Sequence, residues 1–410
     1  MRAPSVAVIG SGVAGTAAAW SASLAGAQVV LIGELDGASR LLSGAFDIET
    51  WETDSQTPQP ADPQLAAFCD ALGIWKVGER DARVASAWGI VRTARGRDRA
   101  VLDLHSMRDA RVAVLRTARA DWNADMLAAA WRSDPWCIQH DLRFEPISVD
   151  LLEHDHERFL CDAELAAAFD DPARQSRVAR LLRDRLAGFD AVLTGPWLGV
   201  DTDAASAVSA ELRRPVGEAL SLLASSAGWR FVCARDRLMS KAGVSVRTDR
   251  VTGLSMRDRD VVVRCAGSED ITADMAVIAC GGIAAGGLSY DPSEADPAGE
   301  IPGSLRVPVN ASFASPAAVA FEGRPVRLLA SMFGAELERF AWPALAAQPW
   351  PLDTASFVHR AQVCLDDAGR ELSRLLVAGQ AASARHVGAL GAALSGIAAG
   401  RVACSRTPSR

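Results

Sequence analysis

The eight cysteines are scattered, and no two of them form a C-x-x-C. Cys69, Cys137, Cys161, Cys233, Cys265, Cys280, Cys364 and Cys404 are spread through 410 residues. A cluster needs thiolates close enough to surround one metal centre, so this chain is not expected to carry iron–sulfur or a structural metal. Buried free thiols in a reducing compartment are expected instead. No apolar run reaches the length that crosses a bilayer. The first residues lack the basic stretch, apolar core and small-residue cleavage site of a signal peptide. A cytoplasmic location follows as an expectation. Positive charge is not in excess: 43 Lys and Arg stand against 50 Asp and Glu, a formal net charge of −7. That argues against nucleic acid as the partner. G-x-S-x-G, a P-loop and a zinc motif are all missing, so hydrolase and kinase chemistry has no support.

The chain does have a strong start. Val6 to Ile9 is a short apolar run, followed at once by Gly10-Ser11-Gly12-Val13-Ala14-Gly15, an alanine-rich stretch to Ala25 and a second apolar run, Val29 to Ile32. The order predicts strand, glycine turn, helix, strand. Gly10 permits the tight turn and Gly12 lets backbone approach a pyrophosphate. Gly15 lets helix and strand pack closely, and the helix start, at Val13 and Ala14, offers N–H groups to phosphate. A bound dinucleotide is expected. An acidic residue closing the second strand would bind the adenosine ribose. Here Gly33 intervenes before Glu34, which either binds ribose or is an ordinary loop carboxylate.

Two later segments point to the kind of dinucleotide. Val244 to Val246, Val251 to Met256 and Val261 to Val263 alternate with charged turns and predict a β-meander. Met275 to Ala279 is uniformly apolar, passes through Cys280 and ends in Gly281 and Gly282, as a strand buried in a parallel sheet would. Leu375 to Ala378 ends in Gly379 and is followed by the small-residue stretch Gly388 to Gly400, which includes Gly391. This order resembles flavoproteins of the glutathione-reductase structural type. The resemblance implies FAD, with FMN as the alternative, and a glycine helix whose N-terminus points at the flavin.

The length suits two domains. The expected fold class is α/β, a Rossmann-like FAD-binding domain of parallel sheet plus β-meander with an inserted α+β substrate or cap domain. Residues 1–45, 240–290 and 370–410 are assigned to the first, and 46–239 and 291–369 to the second. Within the cap, Arg111 to Leu115 and Ala191 to Thr194 predict strands. Trp122 to Arg132, Leu181 to Leu186 and Pro215 to Ser225 predict helices.

The stretch Gly37-Ala38-Ser39-Arg40-Leu41-Leu42-Ser43-Gly44-Ala45-Phe46-Asp47-Ile48 resembles the B-type subunit of the anaerobic glycerol-3-phosphate dehydrogenase, whose members carry a small–Ser–Gly–small–apolar–Asp signature there. The likeness runs diffusely through nearly the whole chain, and Ser43-Gly44 is its sharpest element. The segment Gln380 to His386 departs from the family's glycine- and Asp-Pro-containing stretch. The resemblance implies a flavoprotein subunit of a quinone-linked dehydrogenase acting on sn-glycerol 3-phosphate. A second flavoprotein and an iron–sulfur subunit are its expected partners, with attachment to the inner face of the cell membrane only through them. A non-catalytic flavin-binding or assembly subunit, or a stand-alone FAD oxidoreductase of another substrate, stands as the alternative.

Such a dehydrogenase needs a base for the hydroxyl proton. His386, beside the glycine helix, is the candidate, and Arg385 the candidate for phosphate or for charge on reduced flavin. A solvated surface loop is the plain alternative for both. The hydroxyls of Ser39 and Ser43 are placed to reach a pyrophosphate or the flavin edge.

Overall fold

The computed structural model describes residues 2–34, 36–46, 62–221, 225–257, 259–281, 320–321, 324–325, 327–328, 362–365, 371–379 and 388–406. The chain divides into two compact units, Met1–Ser39 with Ile48–Thr53 and Arg237–Arg410, and Arg40–Asp47 with Asp54–Asp236.

The first unit is organised around β1 (Ser5–Ile9), whose last four residues are fully buried. It is flanked in parallel by β2 (Gln28–Ile32) and by Met275–Ile278, with Val8 opposite Leu31 on one side and Val277 on the other. Ser245–Arg247 extends the sheet beyond β2, and Glu371–Val377 extends it beyond Met275–Ile278, both in parallel. Taken in chain order these five strands lie 3-2-1-4-5, the doubly wound order, whose direction reverses between β1 and Met275–Ile278. Strands buried on both faces are uniformly apolar, which is why SVAVI and MAVI show no alternation. Ser5 and Asp274 tie the start of β1 to its neighbour: the Ser5 N–H and hydroxyl donate to the Asp274 carboxylate at 2.8 and 2.7 Å. The meander Val251–Arg257, Asp260–Cys265, Ile271–Ala273 forms antiparallel pairs as the sequence predicts. Its Leu254, Val261 and Val263 share one core with Ala7, Ile9 and Ile278. Strands at 320–321, 324–325, 327–328 and 362–365, placed by sequence in the cap, pair into the sheets of this unit.

Helix α1 (Val13–Leu24) is buried along its first ten residues and packs against the helix Ala389–Arg406. The contact is backbone on backbone. A Cβ on Gly396 would lie 2.1 Å from the Ala14 carbonyl oxygen, and one on Gly400 2.3 Å from that of Ala18. The Ser21 hydroxyl donates to the Ile397 carbonyl at 2.9 Å. The small residues of this helix suit close approach to a flavin or tight helix packing alike; Gly396 and Gly400 make room for α1.

The second unit holds an antiparallel sheet of Ala45–Phe46, Val91–Asp98 and Trp75–Ala85. Beside it four strands pair in parallel, in the order Arg143–Ser148, Arg111–Arg116, Ala191–Thr194, Val216–Glu218. Three helices of this unit begin on Asp-Pro: Asp62, Asp134 and Asp171 accept from backbone N–H groups of the first turn, and the proline that follows lacks the N–H the helix could not use. Pro215 to Ser225 is not the predicted helix. Its Val216–Glu218 is a strand, because Val192 pairs with Val216 and Thr194 with Glu218. Leu181 to Leu186 shares the helix Pro172–Arg183, which ends earlier. Arg230 is fully buried and bonds Glu218, Asp98 (3.2 Å) and the Gly199 carbonyl (2.6 Å). Burial pushes the Glu218 carboxyl up, against the pull of Arg230.

Candidate functional site

Where β1 ends, Gly10 sits at φ +109°, a left-handed conformation that a side chain would strain. Its N–H donates to the Ile32 carbonyl at 2.7 Å, and a Cβ there would lie 2.3 Å from the Ala279 carbonyl oxygen. The turn therefore passes through the point where the sheet order reverses, with backbone from both neighbouring strands against it. Gly15 closes the turn from the helix side: a Cβ on it would lie 1.7 Å from the Gly10 oxygen. Gly12 is the N-cap of α1 and makes no side-chain cap, and no acidic residue stands in the first turn. The first N–H groups of a helix have no partner within it and carry the positive end of its dipole.

One of these N–H groups, on Val13, donates to the Ser39 hydroxyl at 2.9 Å. Ser39 is buried on the 3-10 helix Gly37–Leu41, and its oxygen lies 3.1 Å from where a Gly12 Cβ would stand. A hydroxyl that accepts from Val13 still has its own proton to give. The helix start, with no acidic residue in its first turn, and Ser39 together form a polar cradle shaped for an anion. Gly33, which displaces Glu34 from the strand end, has its own reason: a Cβ there would lie 2.5 Å from the Ser11 hydroxyl. Glu34 itself is exposed.

The strand Glu371–Val377 brings Gly379 to the same place. It sits at φ +75°, its N–H donates to the Ser395 hydroxyl at 3.0 Å, and a Cβ on it would lie 2.7 Å from the Ala14 Cβ. Gly388 and Gly391 stand at the first turn of the helix Ala389–Arg406, half-buried and buried. Gly281, at φ +81°, follows the strand Met275–Ile278. Burial pushes the neighbouring Cys280 thiol up to about 11, so it stays protonated, as expected of a packing residue. Gly10, Gly12, Val13, Ala14, Gly15, Ser39 and Gly379 are thus brought together. Gly282, Arg385 and His386 lie outside the described residues.

Ser43 and Gly44 belong to the second unit and have partners there. Ser43 offers its carbonyl to the Ser221 N–H and hydroxyl, both at 3.1 Å, and the Gly44 carbonyl accepts from Asp98 N–H at 2.8 Å. Gly44 sits at φ +100°, where a Cβ would meet Val101 at 2.9 Å. Arg40, which sequence reasoning passed over, stacks on Trp229 at 3.2 Å from the ring centroid. Its Nη1 is buried with no hydrogen-bond partner among the described residues. Only the fold brings Trp229 beneath it, so no local pattern marks Arg40.

Residues 5–55 match the family model described as Glucose inhibited division protein A. That span holds the glycine turn, α1, β2 and Ser39. No curated relative matches the chain. Among solved structures, the chain is similar to iminodiacetate oxidase from Chelativorans sp. BNC1, with 16% identity over 68% of this chain and 56% of that one and a TM-score of 0.26. It is similar to a flavoprotein/dehydrogenase from Cytophaga hutchinsonii, with 13% identity over 68% and 40% and a TM-score of 0.26. It is also similar to CtdE in complex with FAD, with 10% identity over 68% and 39% and a TM-score of 0.24. In each of these the chain covers less than two thirds of the other protein.

Proposed function

We propose that this chain is an FAD-binding oxidoreductase subunit of a quinone-linked dehydrogenase, with sn-glycerol 3-phosphate as its substrate. The observation that carries the flavin reading is the cradle of Gly10, Gly12, the start of α1 and Ser39. It is open to backbone approach, has no acidic residue in the helix's first turn and is set at the reversal of a doubly wound sheet. The family-model match over the same residues supports it. FAD is favoured over FMN because the cradle suits a pyrophosphate, which FMN lacks.

When bound, FAD supplies the acceptor for a hydride from a hydroxyl-bearing carbon. The chain's own residues do the holding. Gly12 leaves the phosphate path clear, the first turn of α1 offers N–H donors, and Ser39 accepts from Val13 while keeping a proton to donate. Arg385 is assigned to the substrate phosphate, since a guanidinium presents two parallel donors to it, and His386 to the substrate hydroxyl proton. Electrons then leave through partners, a second flavoprotein and an iron–sulfur subunit, which also provide any membrane attachment.

The test is an absorbance spectrum of the purified chain with chromatography of the released cofactor, then turnover of sn-glycerol 3-phosphate in the reconstituted complex. One FAD per chain and substrate-dependent reduction are expected. A chain that takes up no flavin overturns the cofactor reading. Flavin uptake without turnover in the complex overturns the substrate.

A further inference from the structure

The second unit carries a cavity of about 360 Å³ beside its antiparallel sheet, lined on one side by Cys69 and Asp70 of the helix Pro63–Leu72. The sheet supplies an unusual wall. Trp75–Ala85 pairs with Val91–Asp98 in two registers: Val77 stands opposite Gly96 and Ala82 opposite Ala94, so residues 78–81 bulge out across from Arg95 alone. Lys76 is directly opposite Arg97, two like charges facing each other across the strands, and Arg95 follows on the same face. Like charges in that position repel unless something between them is negative.

The carboxylates nearby answer only part of this charge. Arg97 reaches Asp103 at 3.6 Å and Arg95 reaches Asp81 at 3.3 Å. Asp103 is already engaged by the N–H groups of Arg83 and His105. Lys76 and Arg80 have no partner among the described residues, and both are exposed toward the cavity they line. Asp70, on the opposite wall, leaves the cavity net positive. We propose that this bulged face is a binding site for a phosphate monoester. A compact ammonium and a planar fork can together engage several oxygens of one phosphate, where a carboxylate offers only two. The site lies wholly within the second unit and does not depend on the flavin reading.

Calorimetric titration of the full chain, saturated with FAD if it binds FAD, uses three probes at physiological salt: inorganic phosphate, methyl phosphate and acetate. Methyl phosphate is expected to bind and acetate not. Lys76→Gln with Arg80→Gln should weaken methyl phosphate by about tenfold or more, the scale of one charge-assisted hydrogen bond. The thermal midpoint should not fall, since both side chains are exposed and the change relieves the repulsion between Lys76 and Arg97. Tighter binding of methyl phosphate than of inorganic phosphate supports an ester ligand, and the reverse overturns the ester in favour of the free ion. Equal binding of acetate, or an undiminished affinity in the double variant, overturns the site.

Discussion

Gly12 and Gly15 are three residues apart and answer to different neighbours. A Cβ on Gly15 would collide with the Gly10 carbonyl oxygen at 1.7 Å, backbone against backbone with no soft side chain to yield. Gly15→Ala should therefore destabilise the first unit by roughly 3 kcal/mol, the cost of overpacking a close contact, whether or not cofactor is present. At Gly12 the nearest atom is the Ser39 hydroxyl at 3.1 Å, which can give a little. Gly12→Val should leave the thermal midpoint of the cofactor-free protein close to that of the parent, yet abolish flavin uptake, because the new side chain fills the phosphate path and pushes Ser39 aside. Measuring midpoint and flavin occupancy on both variants separates the two roles. Full occupancy in Gly12→Val would move the cofactor elsewhere. The three turn glycines were legible because each position in the turn allows little else. Ser39 was legible only as a hydroxyl in the right neighbourhood. That its oxygen accepts from Val13 depends on a chain reversal of 26 residues, which no local pattern encodes.

At the scale of elements, the helices carry two further expectations. Helix Ala389–Arg406 meets α1 through Gly396 and Gly400, four residues apart and so on one face. Gly400→Val should separate the two helices and cost stability on the order of 3 kcal/mol, read as a lower denaturant midpoint. The spacing was visible in the sequence, but the partner was not: room for a flavin and room for a helix call for the same small residues. Similarly, Val216, Ala219, Leu220 and Leu223 fall at helical spacing in the sequence, yet Val216–Glu218 is a strand because Ala191–Thr194 offers it a parallel partner. In the second unit, helix Pro172–Arg183 presents Arg174 to Glu157 through two bonds of 2.7 and 2.8 Å, and both side chains are buried. The guanidinium holds the Glu157 carboxyl down to about 2, below its ordinary 4.5. A carboxyl whose folded pKa is depressed contributes stability above its unfolded pKa, and that stability is lost as pH falls through the folded value. The pair's contribution should fade between about pH 4.5 and pH 2. Glu157→Gln should be less stable at neutral pH, with a flatter stability curve across that window. An unchanged slope would show that the pair does not couple to folding.

For the whole molecule, electron flow is the matter to test. Among the described residues no group of His, Cys, Asp and Glu could hold a metal ion, and no helix is long and apolar enough to cross a membrane. Iron and acid-labile sulfide assays on the purified chain should read near zero, and stoichiometric iron would overturn the scattered-thiol argument. If flavin is present without iron, electrons must pass directly to another protein or to a diffusing acceptor. The doubly wound sheet was legible at this scale because its strands show as uniform apolar runs at 6–9, 29–32 and 275–278. The parallel sheet of the second unit was not, since its four short strands are separated by helices whose spacing says nothing of order. Nor did the Ser43-Gly44 signature reveal that its backbone is held by Ser221 and Asp98, residues far along the chain.

The grip between α1 and Ala389–Arg406 has a consequence for how the protein is made. A ribosome delivers residues 13–24 long before residues 389–406, yet the backbone of each is packed on the other. The second unit is drawn mainly from Asp54–Asp236, so its own contacts can be complete while synthesis continues. The first unit must keep β1 and α1 waiting, apolar and without the helix Ala389–Arg406, until that helix has emerged. Cofactor loading should accordingly follow synthesis of residues 389–406, and the nascent segment holding β1 and α1 is the stretch that most needs a chaperone's cover.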